Sequence, residues 1–131
     1  MSNLLSITAI LGALAVTLGA FGAHGLEALV SPERIDIYQT GSRYHFYHLL
    51  PLFVTAAALA YNYGNRSWLL WAARLFLGGL LLFSGSLYLL ALRDLVNFNI
   101  GWLGAITPLG GLLLIGGWLS LAKGLLPKLP H

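Results

Sequence analysis

Leu80-Leu81-Leu82-Phe83-Ser84-Gly85-Ser86-Leu87-Tyr88-Leu89-Leu90 is the second half of a stretch, Trp68 to Leu92, around which the rest of the chain is organised. Between Arg74 and Arg93 eighteen residues carry no charge, and a helix of that length rises about 27 Å, close to a hydrocarbon core of roughly 30 Å. The stretch is therefore read as a membrane-crossing helix. Ala72, Gly79 and Ser86 stand at seven-residue steps, as do Gly78 and Gly85. Small residues at that spacing line up along one face and let another helix approach closely.

The whole composition agrees with that reading. Of 131 residues 58% are hydrophobic and 8% charged, and the mean hydropathy is +0.81, whereas about a quarter of the residues of a soluble domain are charged. A net charge of +3 and an isoelectric point near 9.5 do not indicate nucleic acid. The seven Lys and Arg are scattered among apolar runs and form no basic stripe. With no cysteine, disulfides, thiolate metal sites and cysteine nucleophiles are excluded.

Three further spans follow from the same criteria, giving approximate spans at 4–23, 43–61, 68–92 and 102–122. Leu4 to Ala23 is uncharged and carries Ala15, Gly19 and Ala23 in a small-xxx-small row, with Gly22 beside it. It lacks the opening Lys or Arg of an export signal and is too long for one, so it is read as the first membrane helix. The polar connection after it holds Glu27, Glu33, Arg34 and Asp36. Ser31-Pro32-Glu33 reads as a helix start, with serine as cap, proline at the first position and an acid near the positive end of the dipole. A short interfacial helix is expected from Pro32, running through Thr40-Gly41 toward span two. Pro51 should kink span two and free a carbonyl near Tyr47. Tyr61, Tyr63, Trp68 and Trp71 mark an aromatic belt around the turn Asn62 to Ser67. In span four Gly104 and Gly111, and Gly110 and Gly117, are again seven apart. The fold expected is all-α, an integral membrane up-down four-helix bundle, with Gly19, Gly22, Gly78, Gly79, Gly85, Gly110, Gly111 and Gly117 as packing positions.

Four spans place both termini on one side, with Arg66, Arg74, Lys123 and Lys128, against Arg34, Arg43 and Arg93 on the other. The bias favours cytoplasmic termini. Arg74 is close enough to the interface to snorkel, and Arg43 is expected to pair with Asp94 or Asp36.

Up-down threading brings the end of span one, the start of span two, the end of span three and the start of span four to one face. His24, Tyr44, His48, Ser84, Ser86, Tyr88 and Thr107 are expected to converge there, in the outer half of the bundle, because polar groups in hydrocarbon must face inward and pair. The bland reading is that they are interhelical hydrogen-bond partners. Histidine also suits a proton relay through His24 or His48. A three-imidazole metal site from His24, His45 and His48 is the weaker reading: no intramembrane carboxylate accompanies it, and nothing in the sequence holds His24 near the others. No cofactor is indicated, and Ser84 and Ser86 lie mid-helix without a G-x-S-x-G elbow.

At these residues the chain resembles the UPF0382 or YgdD-like family, small four-helix bacterial membrane proteins classed as a domain of unknown function. The carriers are Gly19-Ala20-Phe21-Gly22-Ala23-His24, Gln39-Thr40-Gly41 with Tyr44 and His48, Leu82 to Tyr88, and Thr107-Pro108 with Gly110-Gly111 and Gly117-Trp118. His45 and Pro51 stand outside the pattern. The resemblance implies a bacterial plasma-membrane protein and supplies no activity. Three functions remain in view: a structural or accessory helix-packing protein, as a homo-oligomer or with another membrane protein; a small oligomeric transporter or channel using His24 or His48; and a lipid- or quinone-binding protein or enzyme.

Overall fold

The computed structural model describes residues 2–127. Four helices follow one another: α1 (Ser2–His24), α2 (Pro32–Ala60), α3 (Arg66–Ala91) and α4 (Leu103–Leu125). One-turn 3-10 segments, Leu26–Ala28 and Arg93–Leu95, lie in the first and third connections, and there is no strand among the described residues. The fold is all-α and up-down, each helix packing against its sequence neighbour. Lys128, counted above among the charges of the terminal side, lies outside the described residues.

Helices α1, α3 and α4 are long and apolar enough to cross a membrane. Their outward faces carry Ile10, Val16, Leu81, Leu112 and Ile115, all exposed, which is what a lipid-facing surface requires. Helix α2 has 29 residues, about 43 Å, and its hydropathy is held down by Glu33, Arg34, Asp36 and Arg43 in its first half. The helix expected from Pro32 is the first part of α2, which passes through Thr40 and Gly41 into the second span without a break; the 3-10 turn Leu26–Ala28 stands apart from it. Ser31 precedes the helix and Pro32 opens it, as the sequence implies, although the serine side chain makes no cap hydrogen bond. Asn65 does cap α3, its Oδ1 accepting from the amides of Ser67 and Trp68 at 3.1 and 3.3 Å.

The closest seam joins α3 to α4. A β-carbon at Gly110 would overlap the backbone of Leu82 and Phe83, one at Gly117 would lie 2.7 Å from the Phe76 ring, and one at Gly124 would lie 2.7 Å from Leu69. Three glycines at seven-residue steps on α4 thus meet α3 at three seven-residue steps, Gly117 and Gly124 receiving the Phe76 and Leu69 side chains and Gly110 lying against the backbone itself. Gly79 accepts Leu114 in the opposite sense, at 2.7 Å. This is antiparallel knobs-into-holes packing, in which the missing side chains set the backbone separation. Around it Leu52, Leu59, Leu69, Phe76, Leu80 and Leu114 form the main core. Gly64, at φ 75°, turns the α2–α3 connection against the end of α4, where the Asn65 amide donates to the Gly124 carbonyl at 2.8 Å. A side chain at Gly64 would be strained and would overlap that carbonyl.

Helix α1 is held differently. It packs on α2 and the following 3-10 turn, and makes no close helix pairing with α3 or α4. Gly22 is pressed on the Tyr38 ring, where a β-carbon would lie 2.5 Å away, and the Tyr38 hydroxyl donates to the Leu18 carbonyl. Gly19 meets Ser42 and Phe46 at ordinary contact distance, 3.7 Å. The bundle is consequently closed on the α3–α4 side and open between α1 and α3.

Candidate functional site

The polar residues gathered by helix direction occupy three places rather than one. The first is the seat of His48, on the face of α2 toward α3 and α4. Trp118 donates its indole N–H to His48 Nε2 at 3.2 Å, and His48 Nδ1 lies 2.7 Å from the Tyr44 carbonyl. A carbonyl can only accept, so Nδ1 carries the proton and the ring is neutral with both nitrogens engaged. The Tyr44 ring stacks on that of His48 at 5.9 Å, and the rings of Phe76 and Trp118 stand 6.0 and 6.1 Å from it. His48 is 5% exposed and sits in a dry aromatic box.

The second place is a clasp between α3 and α4, where Ser86 and Thr107 share a hydroxyl hydrogen bond of 2.6 Å. With one proton on each hydroxyl, Ser86 donates to the Phe83 carbonyl at 2.9 Å and Thr107 donates across to Ser86, the Leu103 carbonyl at 3.3 Å being the alternative acceptor for the Thr107 proton. Small hydroxyls bonded both within and between helices are ordinary interhelical glue.

The third place is His45, turned toward α1 and α3. Its Nδ1 is 2.9 Å from the Tyr88 hydroxyl. A phenol is the stronger acid and an imidazole the stronger base, so Tyr88 donates and the remaining proton of the neutral ring sits on Nε2. That Nε2 is buried with no hydrogen-bond partner, and so is the Ser84 hydroxyl. The Leu11 backbone of α1 faces His45, but His45 Nε2 makes no hydrogen bond of proper geometry. Both residues line a groove of about 330 Å³ between α1 and α3, whose walls are otherwise leucines such as Leu14, Leu18, Leu77 and Leu81.

His24 joins none of these. It is exposed at the end of α1, and it makes no hydrogen bond to the described residues. The level at which α1 passes α2 gives the reason: Gly12 faces Leu49 while Gly22 faces Tyr38. His48 therefore lies level with the Gly12 turn, about 18 Å along α1 from His24. The single neighbourhood expected for the two histidines does not form. No group of three His, Asp or Glu among the described residues is placed to hold a metal, and a set of His24, His45 and His48 is also ruled out by the two engaged nitrogens of His48. Tyr44 contributes its ring and carbonyl rather than its hydroxyl, and its ring lies 4.6 Å from that of Phe83.

Trp118 enters the sequence reading only among the residues that carry the resemblance, and Tyr38 not at all, yet both take part in the packing. The signal for Trp118 is a tryptophan inside span four, about one turn before its assigned end, whose N–H needs a partner. Arg34, not Arg43, pairs with Asp94, Nε to Oδ2 at 2.9 Å. That hydrogen bond holds the Asp94 carboxyl below the ordinary carboxylate range and raises Arg34. It ties the start of α2 to the turn after α3. On the opposite side Lys123 lies 4.5 Å over the Trp68 ring and Arg74 5.5 Å over Trp71, so Arg74 is drawn toward the start of α3 and the belt, as a snorkelling anchor would be.

A family model described as "Protein of unknown function (DUF423)" matches residues 18–111. The chain is 43% identical over 121 residues to the UPF0382 membrane protein YwdK of Bacillus subtilis, which covers 92% of this chain and 94% of that protein. It is 46% identical over 116 residues to the UPF0382 membrane protein SH2409 of Staphylococcus haemolyticus, 86% of this chain and 88% of that one. A UPF0382 membrane protein of Haemophilus influenzae is 39% identical over 125 residues, 92% and 90% of the two chains. No solved structure matches.

Proposed function

The chain belongs to the DUF423 family and is a relative of the UPF0382 membrane proteins, and from that premise we propose that it is a structural helix-packing protein of the bacterial plasma membrane. In this reading all four helices cross the bilayer, α2 as the internal one, and both termini are cytoplasmic. The observation that carries the reading is the completeness of the His48 seat and the Ser86–Thr107 clasp. Both use their hydrogen-bonding groups within the chain and leave no polar path through the closed side of the bundle. A proton or solute pathway needs such groups free or facing water. The Lys and Arg bias, with Arg74 and Lys123 seated on the tryptophan belt, supports the orientation.

The surface that takes the partner is the outer face of α1. Ala9, Ala13, Thr17 and Ala20 are exposed there in a small-residue row, on the side of α1 away from α2. A second copy or another membrane helix docks closely on such a row. The chain contains no cysteine, so Ala13→Cys introduces a unique thiol. Oxidative crosslinking of Ala13→Cys in native membranes should give a dimer or a discrete larger adduct, while a thiol at exposed Leu112 on α4 should not. A monomer alone in both would end the proposal.

A further inference from the structure

Among the described residues, the groove between α1 and α3 is the place where buried polar side-chain atoms have no hydrogen-bond partner. His45 is 4% exposed and Ser84 2%, and neither His45 Nε2 nor the Ser84 hydroxyl has a partner. An unmet donor in hydrocarbon costs on the order of 1–3 kcal/mol, and two on the floor of one groove are a demand for an acceptor oxygen. Neither atom is open to solvent, so the leucine side chains over the floor must turn aside for a ligand to reach them.

Depth decides which acceptor. Ser84 is sixteen residues beyond the belt residue Trp68 and nine before Arg93, about 24 and 13 Å along the helix, which puts it deep inside a hydrocarbon core of roughly 30 Å. The ester carbonyls of a phospholipid are held at the edge of that core by their headgroup. The acceptor must belong to a molecule whose polar part can itself enter hydrocarbon. The remaining walls are apolar, and a groove of about 330 Å³ is ample for one substituted ring and the start of a tail.

We propose that this groove binds an isoprenoid quinone, one ring carbonyl accepting from His45 Nε2–H and the Ser84 hydroxyl, with the tail laid along the leucines of α1 and α3. Tyr88 is a positioning residue: by donating to Nδ1 it fixes the tautomer that leaves a proton on Nε2. Gly85 leaves room for the ring, the nearest side-chain atom to a β-carbon there being Leu81 at 4.0 Å. The proposal concerns binding and goes beyond the assembly proposed above, which uses the opposite face of α1.

The test is photolabelling of the full chain in nanodiscs of phosphatidylethanolamine and phosphatidylglycerol with a diazirine-tailed benzoquinone, competed by unlabelled decyl-substituted benzoquinone. Adducts should map to residues 11–18 and 77–85, and competition should be saturable. Ser84→Ala and His45→Leu should each weaken competition, the latter roughly tenfold, the loss of one good donor. Gly85→Leu, which fills the groove without touching its floor, should abolish it, with Trp118→Phe unchanged. The Gly85→Leu protein should still form the Ala13→Cys crosslink, so that failure of assembly and failure of the groove are read separately. Labelling that is not saturable or survives Gly85→Leu would overturn the proposal. So would displacement by diacylglycerol as effective as by quinone, or labelling absent because α1 closes and His45 bonds the Leu11 carbonyl.

Discussion

The seam between α3 and α4 and the groove between α1 and α3 lie on two sides of the same helix, and they handle the same residue types in opposite ways. In the seam, Gly79, Gly117 and Gly124 face large side chains, Gly110 faces the backbone of α3, and the hydroxyls of Ser86 and Thr107 bond to each other. In the groove, a β-carbon at Gly85 would meet only Leu81 of its own helix, at 4.0 Å, and the hydroxyl of Ser84 bonds to nothing. Two residues separate serines of identical chemistry. The difference teaches that in a membrane bundle the role of a small or polar residue is set by which neighbour its azimuth meets, because lipid itself supplies no drive to close a gap.

The harshest way to break this contrast is to add volume on each side. Gly110→Leu forces a side chain into the backbone of α3 and should cost about 3–5 kcal/mol or prevent folding. Gly85→Ala should be neutral or stabilising by up to about 1 kcal/mol through helix propensity. Steric-trap unfolding in bicelles compares the two directly, and similar costs would show that the groove is not open. Next in size is Trp118→Phe, which leaves His48 Nε2 unpaired in its aromatic box. It should destabilise by about 1–3 kcal/mol in the same assay.

A finer test uses the serines, where the sign itself should reverse. Ser86→Ala removes the interhelical clasp and should destabilise by about 0.6 kcal/mol, the usual worth of such a bond in a bundle. Ser84→Ala removes an unmet hydroxyl and should be neutral or stabilising. Equal destabilisation by both would mean that Ser84 has a partner.

The smallest effect lies outside the membrane, at the Arg34–Asp94 pair. Asp94 titrates below its ordinary value because Arg34 hydrogen-bonds its carboxylate. The pair's contribution is then fully present above the ordinary carboxylate range and is lost as pH falls through the depressed value. Arg34 is raised, so its contribution is unchanged anywhere below the ordinary arginine range. Between pH 7 and pH 3 the melting temperature of the wild type should fall slightly more than that of Asp94→Asn; parallel curves would remove the pair from the account.

Much of the seam was legible before any coordinates. Ala72, Gly79 and Ser86 on α3 all face the interior, and Gly110 and Gly117 on α4 are positions of close helix approach, as their spacing implies. Gly124 continues that row, but it falls beyond the end assigned to span four, where an amphipathic pattern fades and only the helix's true length reveals the third step. Gly78, Gly85 and Gly111 have the same spacing and yet make only ordinary contacts, since periodicity gives a face without saying what stands against it. Of the candidate site, Ser86, Thr107 and His48 lie inside as expected. His24 does not join them, because helix direction fixes only which end of α1 is near, and the crossing of α1 over α2 sets the level.

From its residues alone the chain determined four long helices, their up-down order and the small-residue rows that set their closest approach, because span length, charge-free runs and seven-residue spacing are local properties of a helix in hydrocarbon. Only the tertiary structure decided that the polar residues divide into a sealed seat and an unfilled groove. His45 and His48 are three residues apart and so about 60° apart around α2, an angle small enough to look like one face in sequence and large enough to place them at different helix interfaces.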